Sequence, residues 1–315
     1  MNGPLLSVGQ LTSDNADMLS KKWADWNLTA AGDAFETHTS WLQPVQWRGR
    51  PAMLKVLKPS SDEHQGLPLL QWWNGDGAVR VFARSDNAVL MERGERGGEL
   101  ADRTYFSDRA SIDIMLNVLD RLHADRPFNT GVHADADEHP GASFGVLSLP
   151  SLRRRFRSLL RCTAEDEALQ RCRQFAKTFE FGGPDVRPLH GDIHHENFVA
   201  VDRAAGWAVI DPKGLMGDPH YEFANLFGNP AEDPRSVHDP SKMAWLVRTM
   251  ASHRPGRLCV QRLLDFAYLH AGLSMAWSLE DDDHEGYRHR RIGLLVLEKL
   301  REPFDFRVSL YRSDM

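Results

Sequence analysis

Alternating apolar and branched residues mark the early part of the chain, and an apolar repeat of three and four residues marks most of the remainder. Residues 31 to 59, AGDAFETHTSWLQPVQWRGRPAMLKVLKP, form runs broken at Thr37 to Ser40 and at the turn Arg48-Gly49-Arg50. They predict three antiparallel strands, the third being Pro51 to Leu57. Ala78 to Arg84 and Ala88 to Glu92, joined by Ser85-Asp86-Asn87, predict two more. Between the groups, SDEHQGLPLLQWW predicts a short helix capped by Ser61 or Asp62 and carrying Glu63, Leu67, Leu70 and Trp73. Five strands and one helix make a small lobe, with residues 1 to 29 as a short helix or irregular arm laid on it.

After ERGERGG, Glu92 to Gly98, the period becomes helical. This charged, glycine-rich segment between strand and helix predicts a hinge. Ile112, Met115, Leu116, Leu119 and Leu122 place an amphipathic helix over about Asp108 to Ala124. A polar loop from His123 to His139 follows, then helices over Leu152 to Leu160 and Ala164 to Phe181, the last stopped by Gly182-Gly183-Pro184. Beyond Leu226 the pattern predicts helices at Ser241 to His253, Leu258 to Glu280 and Tyr287 to Leu300. The expected fold is α+β and two-lobed, with residues 1–92 and 93–315 as the lobes.

A length of 315 residues agrees with two lobes. An apolar fraction of 42% and a charged fraction of 26% are those of an ordinary soluble protein, and the formal net charge of −6 gives no electrostatic reason to expect nucleic acid. It is compatible with a cationic small molecule. The N-terminal text lacks a basic segment followed by a long apolar one, and no apolar run approaches the roughly 18 residues of a membrane span. Cytoplasmic location and a monomer or weak dimer are the expectations. Cys162, Cys172 and Cys259 form no CxxC pair, so buried reduced thiols are expected rather than a disulfide framework or a zinc knuckle.

The chemistry is concentrated in residues 189 to 226, LHGDIHHENFVAVDRAAGWAVIDPKGLMGDPHYEFANL. Asp192 and Asn197 have the spacing of the base and metal ligand in a kinase catalytic loop, and Asp211 follows the apolar run Trp207 to Ile210 like a metal-binding aspartate at a strand end. Phosphoryl transfer needs these types: a carboxylate facing the acceptor hydroxyl, Asp192, and hard oxygen ligands for magnesium, Asn197 and Asp211. Lys55 lies mid-strand among apolar neighbours, where an ammonium is costly unless paired. Pairing with Glu63 is the device that holds nucleotide phosphates in protein kinases. His190, His194 and His195 stand in the order H-G-D-x-H-H-E, which does not match HExxH, so loop-stabilising roles are expected, His190 bonding the backbone or Asp211. Asp218, before Pro219, reads as the cap of a helix starting near His220.

These residues carry a resemblance. RGRPAMLKVLKP, SDEHQGLPLLQWWNGDGAVRVF, LHGDIHHENFVA, WAVIDPKGLMGDPHYEFANLFGNP and AGLSMAWSLED resemble the aminoglycoside phosphotransferases of the protein-kinase-like superfamily, and within them the streptomycin 6-phosphotransferase and hydroxyurea-type resistance kinases. The resemblance implies a protein-kinase-like fold, ATP as donor with GTP as an alternative, Asp192 as base, Asn197 and Asp211 on Mg2+, and Lys55 with Glu63 at the phosphates. It also implies nucleotide contacts from Glu92, at the start of the hinge, and from Thr37, Thr39 and Ser40. These hydroxyls lie in ETHTSWLQ, which stands where kinases carry a glycine-rich loop but has no glycine. Lys213 takes the place of an expected neutral residue, with a phosphate or an anionic part of the acceptor as its expected partner. Glu222 and the acidic run with Glu280, Asp281 and Asp282 are the candidate contacts for a cationic acceptor. Alternatives are a metabolic kinase of a sugar, amino alcohol or glycated amine, and a nucleotide-binding protein without turnover.

Overall fold

The computed structural model describes residues 13–94, 96–97, 100, 108–126, 148–204, 206–229, 238–253 and 258–302. Parts of the N-terminal arm, the 92–98 hinge segment and the 123–139 loop lie outside them. The chain groups into two compact units, Met1–Ser151 with Val186–Gly217, and Leu152–Asp185 with Asp218–Met315. Both sides of the expected hinge therefore fall in the first unit, and the 189–217 stretch belongs with the strands rather than with the C-terminal helices.

In the first unit, helix α1 (Ser13–Trp26) precedes strands β1 (Leu28–Ala30), β2 (Phe35–Glu36), β3 (Ser40–Trp47) and β4 (Arg50–Leu57). Helix α2 (Gly66–Trp73) follows, then β5 (Val81–Arg84), β6 (Ala88–Glu92), β7 (Arg96–Gly97) and α3 (Asp108–Leu122). The main sheet has the order β1-β3-β4-β6-β5, with β2 on β3, giving six strands where the hydrophobic pattern predicts five. β1 is the addition; only its first residue is buried, so three residues give too short a pattern to read. Ala52, Leu54 and Val56 of β4 join Val45, Ala88 and Leu90 in an apolar core with Trp23 and Trp26 of α1 packed against it. Alternation along the strand sends Lys55 to the other face.

Helix α2 begins later than its sequence suggests. Gly66 is the first helical residue, Gln65 makes no side-chain cap, and Glu63 lies in the turn before the helix rather than on it. The rest of the unit is built from short antiparallel pairs: β8 (Arg187–Leu189) with β11 (Leu215–Gly217), and β9 (Phe198–Ala200) with β10 (Trp207–Val209). β7 adds to β9, pairing Gly97 with Val199. Arg203, in the β9–β10 turn, donates to Glu92 at 3.2 Å, to the Gly75 carbonyl at 2.6 Å and to that of Ala78 at 2.9 Å.

The second unit is helical. Its elements are α4 (Leu152–Arg155), α5 (Arg157–Arg161), α6 (Glu167–Thr178), a 3-10 segment (Pro219–Gly228), α7 (Pro240–His253), α8 (Val260–Glu280) and α9 (His284–Arg301). The continuous helix expected over Leu152 to Leu160 is interrupted at Phe156, a fully buried side chain that anchors an aromatic cluster with Phe181 and Tyr221. α6 starts at Glu167 because Asp166 accepts hydrogen bonds from the Ala168 and Leu169 amides at 2.9 and 3.1 Å. Among the described residues no helix is long and apolar enough to cross a membrane.

Candidate active site

The first unit brings Lys55, Glu63, Asp192, Asn197 and Asp211 together. Lys55, 1% exposed, places Nζ 2.6 Å from Glu63 Oε2 and 2.6 Å from Asp211 Oδ1. Burial alone would lower its pKa, but the Asp211 and Glu63 carboxylates outweigh that and raise it above the ordinary lysine value. The ammonium is therefore held charged in the interior. Lys55 Nζ and the buried Asp211 Oδ1 form a close ion pair.

Local backbone chemistry explains how Asp192, Asn197 and Asp211 are displayed. Gly191 has φ of +80°, and a Cβ there would stand 2.7 Å from Leu215 Cδ1, so the turn before Asp192 needs glycine. The His190 ring donates from Nε2 to the Ile210 carbonyl at 2.8 Å, and its Nδ1 accepts from the Asp192 amide at 3.3 Å. This is the backbone role expected for His190. Asn197 donates Nδ2 to the Asp192 carbonyl at 2.8 Å, which fixes the orientation of the amide. Asp211 follows β10 with φ of +59°, a left-handed conformation costing about 1 kcal/mol in a non-glycine residue, so its carboxylate is carried by a strained backbone. His194 lies with Nε2 4.0 Å from Asp192 Oδ2.

Lys213 has a different partner from the one its sequence position suggests. Its Nζ lies 2.8 Å from Asp62 Oδ1 and 3.1 Å from Glu63 Oε1, so two protein carboxylates flank it. Burial would lower its pKa; Glu63, Asp62 and Asp192 raise it above the ordinary value. Four carboxylates, Asp62, Glu63, Asp192 and Asp211, thus surround two ammonium groups. The Asp211 carboxylate and the oriented Asn197 amide are hard oxygen donors of the kind a divalent cation takes. Among the described residues no three His, Cys, Asp or Glu side chains form a metal cage by themselves. Asn197 and phosphate oxygens would complete one.

Other predicted contacts are placed differently. Thr37 Oγ1 accepts from the Ser40 amide at 3.1 Å and lies 2.9 Å from Ser40 Oγ, and Ser40 is fully buried, so both hydroxyls close the β2–β3 turn. The Thr39 carbonyl accepts from the Lys58 amide at 2.9 Å. The Glu92 carboxylate takes Arg203 and the Arg80 amide, both at 3.2 Å, and serves as a structural tie. In the second unit Glu222 is 1% exposed. Glu280 accepts from Ser158 Oγ at 3.0 Å, and Asp281 and Asp282 form the exposed turn between α8 and α9. Asp218 caps the 3-10 segment as expected, accepting from the His220 amide at 2.9 Å.

The sequence profile described as aminoglycoside/hydroxyurea antibiotic resistance kinase matches residues 25–282. Streptomycin 3''-kinase of Klebsiella pneumoniae is 36% identical over 271 residues, 81% of this chain and 90% of that protein. Streptomycin 6-kinase of Streptomyces griseus is 30% identical over 203 residues, 63% of this chain and 62% of that protein. The likeness to the 3''-kinase is thus higher and fuller than that to this 6-kinase. Among solved structures, aminoglycoside phosphotransferase APH(4)-Ia superposes with a TM-score of 0.58 at 15% identity, covering 91% of this chain and 99% of that one. That likeness shows the protein-kinase-like fold. With a match reaching from α1 to the end of α8, the chain belongs to the aminoglycoside/hydroxyurea antibiotic resistance kinase family.

Proposed function

We propose that this protein transfers the γ-phosphoryl group of ATP to a hydroxyl of an aminoglycoside, with streptomycin as the acceptor and its 3''-hydroxyl as the position modified. The observation that carries the chemistry is the convergence of Lys55, Glu63 and Asp211 at 2.6 Å contacts within the unit that also holds Asp192 and Asn197. Asp192 accepts the proton of the attacking hydroxyl, and Gly191 and His190 fix the turn that presents it. Asn197 and Asp211 would hold a magnesium ion, whose contribution is neutralising charge on the phosphates. Lys55, kept charged by Asp211 and Glu63, orients the phosphate chain. The choice of the 3'' position rests on the higher and fuller likeness to the 3''-kinase.

The test is nucleotide consumption, with ATP or GTP as donor, across streptomycin, other aminoglycosides, hydroxyurea and small polyols, with the product's phosphate located by NMR. Streptomycin 3''-phosphate from ATP is the expected product. Phosphate at position 6 corrects the regiochemistry, and turnover with polyols or amino alcohols but no antibiotic moves the protein to metabolic kinase chemistry. Asp192→Ala should lower turnover at least about a hundredfold while nucleotide still binds. Wild-type turnover in that variant would sink the role given to Asp192.

A further inference from the structure

Two lysines hold Glu63. Lys55 takes Oε2 at 2.6 Å and Lys213 takes Oε1 at 3.1 Å, and Lys213 also reaches Asp62 at 2.8 Å. The main chain at Lys213 is anchored separately, its amide donating to the His190 carbonyl at 2.8 Å. Backbones are pressed together on either side of it. A Cβ on Gly66 would stand 1.7 Å from the Pro212 carbonyl oxygen, and one on Gly214, whose φ is +69°, would stand 2.6 Å from the Gln65 carbonyl oxygen. The turn before α2 and the segment after Asp211 are thus in van der Waals register along 62–66 and 211–214, with Lys213 as the charged link.

We propose that Lys213 is a positioning residue of the phosphate-binding centre: it fastens the Asp62–Glu63 turn to the segment after Asp211, so that Lys55 is aligned for nucleotide phosphates before any nucleotide binds. This rests on the phosphotransferase reading above. The physical reason is charge sharing. Lys55 alone faces two carboxylates, Glu63 and Asp211, and would be over-neutralised by them. Lys213 takes up part of the Glu63 charge and also pairs with Asp62, which leaves Lys55 with positive potential to offer a polyanion. It also fixes which Glu63 oxygen Lys55 receives. The partners lie 150 residues apart in sequence, so the link acts only in the folded chain.

The experiment uses the full chain with Lys213→Met, Lys213→Arg and Asp62→Asn. Amide hydrogen exchange over residues 60–70 is measured without nucleotide, magnesium-ATP affinity is measured with a fluorescent ATP analogue, and KM is determined separately for ATP and streptomycin. Lys213→Met should speed exchange in the 62–66 turn, weaken nucleotide binding about tenfold, and change the acceptor KM by less than about twofold. Lys213→Arg should restore most of the nucleotide affinity, because a guanidinium can span two carboxylates. Asp62→Asn should give a smaller change in the same direction. Wild-type exchange and wild-type nucleotide affinity in Lys213→Met overturn the proposal, as does a loss confined to the acceptor KM. If Lys213→Met does not fold, Asp62→Asn decides: unchanged exchange and affinity in it overturn the proposal. A wild-type protein that binds no nucleotide overturns the phosphotransferase reading itself, and the exchange measurement, made without nucleotide, still decides the fastening.

Discussion

Asp211 and Asp218 stand on either side of β11, and their carboxylates are treated in opposite ways. Asp218 closes the 3-10 segment of the helical unit. It accepts from the His220 amide at 2.9 Å, from His220 Nδ1 at 2.5 Å and from Arg262, and His220 Nε2 is occupied in turn by the Cys259 amide at 2.9 Å. Its backbone is extended, with φ of −75°. Asp211 has a left-handed backbone and meets one ammonium, which it shares with Glu63. Asp218 is met by several donors within the fold, whereas Asp211 stands on a left-handed backbone against a shared ammonium.

Replacing each aspartate breaks this contrast. Asn tolerates the left-handed conformation at 211 and preserves most of the shape, so Asp211→Asn removes mainly charge. Turnover should fall by a hundredfold or more, about 3 kcal/mol of transition-state stabilisation, with a smaller loss of folding stability than at Asp218 because Glu63 still pairs Lys55. A large loss of stability with little loss of turnover would reverse the assignment. Asp218→Asn should do the opposite, costing about 2–4 kcal/mol of folding stability because Arg262 and His220 lose a buried anion. Denaturant unfolding measures it. Burial alone would raise the Asp218 carboxyl, but hydrogen bonds from the His220 ring and amide and from Arg262 hold it below its ordinary value. Such a carboxyl contributes stability that is fully present above its unfolded pKa, near ~4, and is lost as pH falls through the folded value. The gap between wild type and Asp218→Asn should therefore narrow as pH is lowered below about 4. A gap that widens there would show that Asp218 is not held ionised by its donors.

The two aspartates also show what the sequence reveals and what it hides. Asp218 was legible because Asp-Pro before an apolar segment is a local signal, and the hydrogen bond it forms spans two residues. The Asp192 to Asn197 spacing and the position of Asp211 after an apolar run are local as well. Lys55 was legible through cost, since a lysine between Leu54 and Val56 demands a partner. The hidden features depend on groups far apart in the chain. The start of α2 at Gly66 lies against Pro212, a close approach that no capping rule contains. The partner of Lys213 is 151 residues away at Asp62, and that of Glu92 is 111 residues away at Arg203. Thr37 and Ser40 could not be read from the sequence alone for a further reason, because a hydroxyl at a turn is as able to close the turn as to meet a ligand.

The smallest effect concerns Asp282, which shares the left-handed backbone of Asp211 with φ of +54° but lies in the exposed turn between α8 and α9. That turn already has its cap, since Asp283 accepts from the Gly286 amide at 2.9 Å. Glycine fits the backbone of both sites, so the same substitution separates backbone from carboxylate. Asp282→Gly should raise stability by about 0.5 kcal/mol, because the relief of left-handed strain slightly exceeds the added freedom of the unfolded chain. Asp211→Gly should keep the fold and abolish turnover. If Asp282→Gly also raises the streptomycin KM several-fold, and the rise fades as salt is added, the acidic run attracts the cationic acceptor through its field. If the KM is unmoved, the run serves the α8–α9 turn alone, and acceptor recognition belongs to other residues of the protein.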